Sequence, residues 1–290
     1  MNEATSTVLV LQLDASDPIG RLGDWLIGAG LMLEVCVVDI DNPPPKTLGG
    51  FAGLVVLGGG MGAGDDERAP FLATVRALLR AAIADEVPTL GICLGAQLLA
   101  VANGGQVAPN PAGPELGAQL VAKRSAAATD PLFGPIPITP DVVQWHFDEI
   151  TVLPPGAVQL ASSPGCDQQA FRLGRLAWGL QFHIETTPDI VAQWAVADAL
   201  RLADYDLDRI VARTTSVDED IAEVWRPVAA AFAAIVRDPT SVAPARGPQT
   251  ATAEPITGPA AIRAALAAEL TASRAPTVLP MPGLRSADDA

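Results

Sequence analysis

Four short apolar runs that alternate with helical patterns restrict the fold of this 290-residue chain more than any other feature. The runs are Val8–Leu13, Leu33–Val38, Leu54–Leu57 and Thr89–Ile92, and the helices predicted between and after them are Ile19–Ala29, Ala69–Ala84 and Leu94–Asn103. Nearly continuous apolar strands that alternate with helices indicate a parallel sheet that is covered on both faces. Because crossover connections are right-handed, we expect an α/β fold with a doubly wound, mostly parallel sheet, a flavodoxin-like three-layer sandwich.

The second half of the chain changes in composition twice. Residues 106–180 are rich in Pro and Gly and predict several short strands, and Pro188–Ala203 predicts a helix with proline at its favoured first position. From residue 238 the chain is rich in Pro, Thr, Ala and Gly, which is typical of a linker. We therefore predict a main domain at 1–205, a helical extension at 206–237, and a Pro/Ala-rich linker and tail at 238–290 with a possible helix at 260–274.

Charge and composition exclude several classes of function. The 18 Lys and Arg residues against 33 Asp and Glu residues give a net charge of −15, which argues against nucleic acid or an anionic membrane as the main partner. No apolar stretch approaches the length of about 18 residues that a membrane-spanning helix needs, and the N-terminus lacks the basic region of a signal peptide. We therefore expect a cytoplasmic protein. Three widely spaced cysteines predict neither a disulfide framework nor a metal site.

Cys93 is the cysteine whose surroundings predict chemistry. It follows the apolar run Thr89–Ile92 and directly precedes the helix that begins at Leu94, with Gly91 and Gly95 on either side. This pattern predicts a nucleophile elbow, in which a tight turn exposes the side chain at a helix N-terminus. The positive end of the helix dipole favours a thiolate there. The alternative, a small buried hydrophobic cysteine, requires neither glycine.

The other two cysteines and the two histidines have less distinctive surroundings. Cys36 lies inside an apolar strand and is expected to be buried, and Cys166 is expected in a loop. His183 and Glu185 lie two residues apart in an extended segment, so their side chains share a face and the carboxylate can orient the imidazole. An unrelated pair at a strand end would have the same spacing. His146 is the competitor for the role of base, and a structural role or a place in a substrate-binding wall remains open for it.

Three motifs carry a resemblance to a known family. The segment GICLGAQLL resembles the nucleophile motif of class I glutamine amidotransferases, whose usual form is G-[VI]-C-x-G-x-Q. The segment GLQFHIE is similar to their G-x-Q-F-H-P-E motif, and LVVLGGGMGAG resembles their glycine turn after the third strand. The motifs occur in the family's order and spacing over about residues 54–185. Within this family, the chain resembles stand-alone homologues of the GMP synthase amidotransferase domain.

The resemblance implies roles for particular residues. It implies that Cys93 is the nucleophile, that His183 is the general base and acid, and that Glu185 orients His183. It further implies an oxyanion hole formed by the backbone N–H groups of Gly60 and Leu94, and a substrate-binding group of Gln97, Trp145, His146 and Phe147. The implied activity is hydrolysis of the glutamine side-chain amide through a cysteine thioester. No metal or organic cofactor is required for this chemistry.

The fate of the released ammonia is open at this point. The chain contains no phosphate-binding loop and no ATP-pyrophosphatase signature, so an acceptor of ammonia is expected on a separate protein. Two alternatives stand beside it: a free-standing γ-glutamyl hydrolase of a small amide or conjugate, and a catalytically silent regulatory protein on the same fold.

The sequence departs from the family motifs at three positions. Ile184 occupies the place of the usual proline between His183 and Glu185, and we expect its effect to be a looser turn. Met61 follows Gly60 where proline is common, which affects the geometry of the oxyanion donor. Trp145 replaces a small serine, so the size of the substrate pocket is expected to differ from that of an ordinary glutaminase.

Overall fold

Residues 6–243, which the computed structural model describes, contain twelve β-strands and six α-helices. The strands are β1 (Thr7–Gln12), β2 (Met32–Val37), β3 (Gly53–Val56), β4 (Thr89–Ile92), β5 (Gln106–Pro109), β6 (Glu115–Leu120), β7 (Ala122–Lys123), β8 (Asp141–His146), β9 (Asp148–Val152), β10 (Val158–Ser162), β11 (Ala170–Leu173) and β12 (Ala177–Leu180). The helices are α1 (Gly20–Gly28), α2 (Leu72–Ala84), α3 (Leu94–Ala102), α4 (Pro188–Ala197), α5 (Leu207–Ser216) and α6 (Asp218–Arg237), with short 3-10 helices at Ser125–Thr129 and Pro239–Ser241.

Eight of the strands form one sheet in the order β2-β1-β3-β4-β12-β11-β10-β7. The first five strands in this order are parallel to one another, and the last three continue the sheet in antiparallel fashion. Two further antiparallel pairs, β5 with β9 and β6 with β8, lie outside this sheet. The prediction of an α/β fold with a doubly wound, mostly parallel sheet is therefore confirmed.

Helices cover both faces of the parallel part of the sheet. Along β1, Val8 and Val10 join a hydrophobic cluster that includes residues of α1 and α6, whereas Leu9 and Leu11 join a second cluster that includes residues of α2 and α3. All four side chains are at most 1% exposed. A strand that is buried on both faces explains why the sequence shows a continuous apolar run and no alternation.

The helical extension predicted at 206–237 forms α5 and α6, and α6 packs into the core. Trp225 and Phe232 of α6 are buried, and their rings pack against Phe182 and Trp178 with centroid distances of 5.1 Å and 6.5 Å. These contacts make α6 part of the helical layer on one face of the sheet. None of the described helices has the length and hydropathy that crossing a membrane requires.

The expectation that Cys36 is buried in its strand is wrong, because β2 is an edge strand. Met32, Val35 and Val37 are 52%, 44% and 42% exposed, and Cys36 is only partly buried. β2 pairs with β1 alone in the main sheet. Apart from Glu34, β2 is as apolar as the buried strands, so the apolar run alone does not distinguish the edge from the centre.

Two boundaries differ from the sequence prediction. Helix α4 ends at Ala197, so residues 198–203 form turns where a helix was predicted. Past Arg237, Val242 is still buried, and the Arg175 side chain donates a hydrogen bond of 3.1 Å to its carbonyl oxygen. The packed core therefore continues several residues into the predicted linker. The possible helix at 260–274 lies outside the described residues.

Replacing Gly95 with alanine is expected to destabilise the fold by about 3 kcal/mol or more, because the new methyl group overpacks the core. A Cβ at this position would lie 2.1 Å from the carbonyl oxygen of Val56 in β3, and neither backbone can move away freely. Gly28→Ala is the matched control, since a Cβ there meets nothing within 4 Å. The control is expected to change stability by no more than about 1 kcal/mol. Urea unfolding measures both, and equal midpoints would contradict the close approach of α3 to β3.

Candidate active site

A cavity of about 320 Å³ opens where several strands of the sheet end. It is lined by residues that follow four of the parallel strands: Asp14 and Asp17 after β1, Gly59 and Gly60 after β3, Cys93 after β4, and His183 after β12. The carboxyl edge of a parallel sheet is the usual place for ligand binding in open α/β folds. The fold thus brings together residues from widely separated parts of the chain.

Cys93 occupies the turn between β4 and α3 with an unusual backbone conformation. Its φ of 50° and ψ of −110° lie in a region that non-glycine residues rarely adopt. Two hydrogen bonds hold it there: its N–H donates to Leu180 at 2.8 Å, and its carbonyl accepts from the Gln97 N–H at 3.0 Å. Backbone strain that is maintained in this way clusters at functional sites. The side chain lines the cavity and is 7% exposed.

His183 is held by its backbone and by one ring nitrogen. Its N–H donates to the carbonyl of Val143 in β8 at 2.8 Å, and its Nδ1 lies 2.6 Å from Glu185 Oε1. Burial disfavours the imidazolium, but the Glu185 carboxylate and the nearby Cys93 thiolate favour it more strongly, so the pKa of His183 is raised well above its usual value. Nε2 is buried and has no hydrogen-bond partner among the described residues.

Both oxygens of the Glu185 carboxylate are engaged. Oε1 faces the His183 ring, and Oε2 accepts a hydrogen bond of 2.9 Å from the N–H of Ile184. Proline at position 184 would have no N–H to donate. The residue that departs from the family motif therefore adds a hydrogen bond that fixes the carboxylate, where the sequence led us to expect a looser turn.

His146 lines the cavity, but both of its ring nitrogens are occupied by other groups. Nδ1 lies 2.9 Å from the carbonyl oxygen of Asp148, and Nε2 lies 3.1 Å from both Glu115 Oε2 and Gln144 Oε1. The side chain is 3% exposed. This arrangement leaves no free ring nitrogen toward Cys93, and it anchors His146 in the wall of the cavity.

Gln97 lies one helical turn after Cys93 and faces the same cavity. Its side-chain amide donates to Gln181 Oε1 at 3.2 Å and to the carbonyl of Asp148 at 3.3 Å. Gln181 in turn directs its amide nitrogen toward Cys93 Sγ at 3.9 Å. The two glutamines therefore connect α3 to the segment that follows β12.

Aromatic side chains form part of the cavity wall. Trp145 donates its indole N–H to Asp198 Oδ2 at 2.9 Å, and the guanidinium of Arg201 lies 3.3 Å above the ring of Phe147. Trp194 of α4 packs against the ring of Trp145 at a centroid distance of 6.0 Å. All of these residues line the cavity.

The two backbone N–H groups that are predicted to form the oxyanion hole belong to two different turns that border the cavity. Leu94 is the first residue of α3, and Gly60 follows β3. The Gly60 N–H donates to Asp14 Oδ2 at 3.3 Å. Burial opposes ionisation of Asp14, but hydrogen bonds from Ser16 and Gly60 outweigh it and lower the pKa of the carboxyl. The Gly60 amide is therefore engaged with a carboxylate in this structure.

The sequence model of the family Glutamine amidotransferase class-I matches residues 27–196, a range that includes Cys93 and His183. The chain belongs to the class I glutamine amidotransferase family. The chain is 42% identical over 99 residues to GMP synthase from Thermomicrobium roseum, and this match covers 34% of the chain and 18% of that relative. A glutamine-hydrolysing GMP synthase subunit from Methanoculleus marisnigri is 32% identical over 157 residues, which cover 53% of the chain and 77% of the relative.

A similar solved structure shows that the resemblance covers most of the fold of this chain. The glutamine amidotransferase from Methylobacillus flagellatus superposes with a TM-score of 0.70 at 31% sequence identity. The match covers 83% of this chain and 97% of that one. The fold and the family are thus supported by both sequence and structure.

Several residues that line the cavity were not among the site residues predicted from the sequence: Asp14, Asp17, Trp194, Asp198 and Arg201. Asp14 and Asp17 follow the first strand, and their position at the carboxyl end of a parallel strand was an available signal. Burial raises the pKa of Asp17 to about 7. The other three come from α4 and the turn after it, where the sequence carries no signal. Within residues 6–243, no three His, Cys, Asp or Glu side chains are arranged to hold a metal ion.

Proposed function

We propose that the amidotransferase hydrolyses the side-chain amide of glutamine and releases glutamate and ammonia. The observation that carries this proposal is the convergence of Cys93, on a strained turn at the start of α3, and His183, oriented by Glu185, on one cavity. A thiol, an imidazole and an orienting carboxylate are the groups that amide hydrolysis through a covalent intermediate requires.

In the first half of the reaction, the Cys93 thiolate attacks the amide carbon of glutamine. A carbon–sulfur bond forms, the carbon–nitrogen bond breaks, and the proton of the His183 imidazolium passes to the departing ammonia. The hydrogen bond from Nδ1 to Glu185 keeps the ring oriented with Nε2 toward the reacting atoms. The raised pKa of His183 supplies an imidazolium at neutral pH.

In the second half, water hydrolyses the γ-glutamyl thioester. Neutral His183 accepts a proton from the water, the carbon–sulfur bond breaks, and glutamate leaves with the thiolate restored. The backbone N–H groups of Leu94 and Gly60 stabilise the negative oxygen of both tetrahedral intermediates, at about 3 kcal/mol per donor. The Gly60 donor requires that the Asp14 carboxylate release it when substrate binds, because the two are hydrogen-bonded in this structure.

The walls of the cavity bind the rest of the substrate. Gln97, Trp145, His146 and Phe147 all face the cavity and are held by contacts to their neighbours. Because these side chains are fixed before binding, little conformational entropy is lost when substrate enters.

We propose that the ammonia passes to an acceptor bound by a separate protein. Relatives that are named as one subunit of a glutamine-hydrolysing GMP synthase support a division of the reaction between two chains. A second candidate, a free-standing hydrolase of γ-glutamyl conjugates, is favoured by the aromatic surface that Trp145, Phe147 and Trp194 contribute to the cavity. Aromatic side chains in a binding cavity offer apolar surface to a substituent on the γ-amide nitrogen.

Incubating the purified chain with glutamine, and separately with γ-glutamyl amines, tests these proposals. Release of ammonia and glutamate from glutamine supports the first function. Faster turnover of the substituted amides favours the second. A chain that forms glutamate from neither substrate, even at high enzyme concentration, contradicts both.

Iodoacetamide is expected to label Cys93 before the other two cysteines. Burial raises the pKa of Cys166 to about 12, and burial together with Glu34 raises the pKa of Cys36, so both thiols stay protonated at neutral pH. Cys93 opens onto the cavity at a helix N-terminus. Mass spectrometry after brief treatment identifies the labelled residue, and earlier labelling of Cys36 would contradict the assignment of the nucleophile.

A further inference from the structure

Asp17 is a buried carboxyl group on the cavity that the proposed reaction does not use. It belongs to the loop between β1 and α1, is 9% exposed, and lines the cavity together with Cys93 and His183. Burying a carboxyl group without a cationic partner is costly, so its place beside the reactive residues calls for a functional explanation.

Gly58, two residues after β3, shows where Asp17 lies relative to His183. A Cβ built on Gly58 would lie 2.8 Å from Asp17 Oδ2 and 3.3 Å from His183 Cε1. The carboxylate and the Cε1 edge of the imidazole therefore border the same small space. This edge lies between the two ring nitrogens, so Asp17 faces the ring without competing for the hydrogen bond that Glu185 makes to Nδ1.

Trp194 holds the Asp17 loop and the His183 ring together. Its indole N–H donates to the carbonyl of Ser16 at 2.9 Å, directly before Asp17 in the chain. Its ring also packs against the imidazole of His183 at a centroid distance of 4.8 Å. The position of the carboxylate relative to the imidazole is therefore fixed by packing.

We propose that Asp17 is a positioning residue that acts through His183: its ionised carboxylate stabilises the His183 imidazolium, and so maintains the proton that passes to ammonia. This inference rests on the proposed amide hydrolysis. In the proposed reaction Asp17 does not touch the substrate, and it influences Cys93 only through the protonation of His183. Because Glu185 already orients the ring, the contribution of Asp17 is electrostatic.

The titratable groups around this pair set the sign of the effect. His183 faces Glu185 on its own segment, Cys93 at the start of α3, and Asp17 on the loop after β1, and Asp14 lies on that same loop. Burial raises the pKa of Asp17 to about 7, so the carboxylate is the main form of Asp17 above neutral pH. Above neutral pH, Asp17 therefore opposes deprotonation of His183.

Histidine NMR of the full chain tests the proposal directly, since the chain contains only two histidines. Asp17→Asn is expected to lower the midpoint of the His183 Cε1–H titration by about one pH unit, because it removes an anion next to the ring. His146, which also lines the cavity, is the internal control, and the chemical shift of its Cε1–H at a fixed pH is expected to be the same in the variant and the wild type. Asp17→Glu, which keeps the charge, is expected to restore most of the His183 midpoint. The resonances are assigned with a His146→Gln variant.

Activity provides a second readout. In Asp17→Asn, the high-pH limb of kcat/KM is expected to move to lower pH by the same amount as the His183 midpoint. Asp17→Ser removes the same charge, and it replaces Asp17→Asn in both measurements if the Asn variant does not fold. A His183 midpoint that stays within about 0.2 pH unit of the wild-type value in a folded charge-removing variant would overturn the role of Asp17. If the wild-type chain released no ammonia from glutamine, the proposed function would be overturned instead. The NMR midpoint of His183 can be measured whether or not the chain is active, so the two failures can be told apart.

Discussion

Replacing Cys93 with alanine is expected to lower kcat for glutamine hydrolysis by a factor on the order of 10⁴ or more, because no thioester can form without the thiol. In the proposed reaction Cys93 is the nucleophile and His183 serves as acid and base, so the variant lacks the group that attacks the amide. Activity is measured as ammonia and glutamate released at saturating glutamine. Acid quenching during turnover is expected to trap a γ-glutamyl adduct on the wild-type chain and none on the variant.

Cys36→Ala is the matched control for loss of a thiol. Cys36 lies on the edge strand β2, away from the cavity, and its replacement is expected to leave kcat unchanged. Residual turnover above one hundredth of the wild-type rate in Cys93→Ala would contradict covalent catalysis at Cys93. It would point to direct attack of water on the amide.

The strained backbone at Cys93 adds a stability test to the same position. With φ at 50°, any residue with a Cβ is strained there, whereas glycine adopts this conformation freely. Relief of strain is worth about 1–3 kcal/mol, which exceeds the usual entropic cost of glycine relative to alanine. Cys93→Gly is therefore expected to melt at a higher temperature than Cys93→Ala while remaining inactive. The reverse order of melting temperatures would show that the turn is not strained.

Much of the fold and of the candidate site follows from local sequence. Strand β4 appears with the predicted bounds, Thr89–Ile92, because a short apolar run between a proline and a glycine-flanked cysteine has few other conformations. The pairing of His183 with Glu185 also follows from two-residue spacing. In the structure this pair lies beyond the end of β12, in a segment bridged to Val143, and the side chains still meet.

The remaining features depend on contacts between distant parts of the chain. The indole of Trp145 bonds to Asp198, 53 residues away, and the Ser16 carbonyl before Asp17 bonds to Trp194, 178 residues away. No local pattern reports such pairs, because each residue alone resembles an ordinary loop or helix residue. The exposure of β2 also depends on distant contacts, because a strand lies at the edge when no second strand pairs with it.

His183→Gln is expected to lower kcat by about 10²–10⁴-fold, since glutamine cannot give a proton to ammonia or take one from water. His146→Gln is the comparison, because His146 is equally buried but its ring nitrogens bind Asp148, Glu115 and Gln144. Its replacement is expected to raise KM and to change kcat by less than about tenfold, because it alters only the wall of the cavity.

The partners of the two histidines explain why the kinetic effects should separate. Nδ1 of His183 is fixed by Glu185, and Nε2, which has no hydrogen-bond partner among the described residues, is the nitrogen that exchanges protons in the proposed reaction. His146 has no comparable nitrogen, since Glu115 and Gln144 both lie 3.1 Å from its Nε2. Steady-state kinetics on both variants, with melting temperatures to confirm folding, compare the roles. If His146→Gln lost more kcat than His183→Gln at saturating glutamine, the base would be His146, and the Glu115 carboxylate would take the orienting part assigned to Glu185.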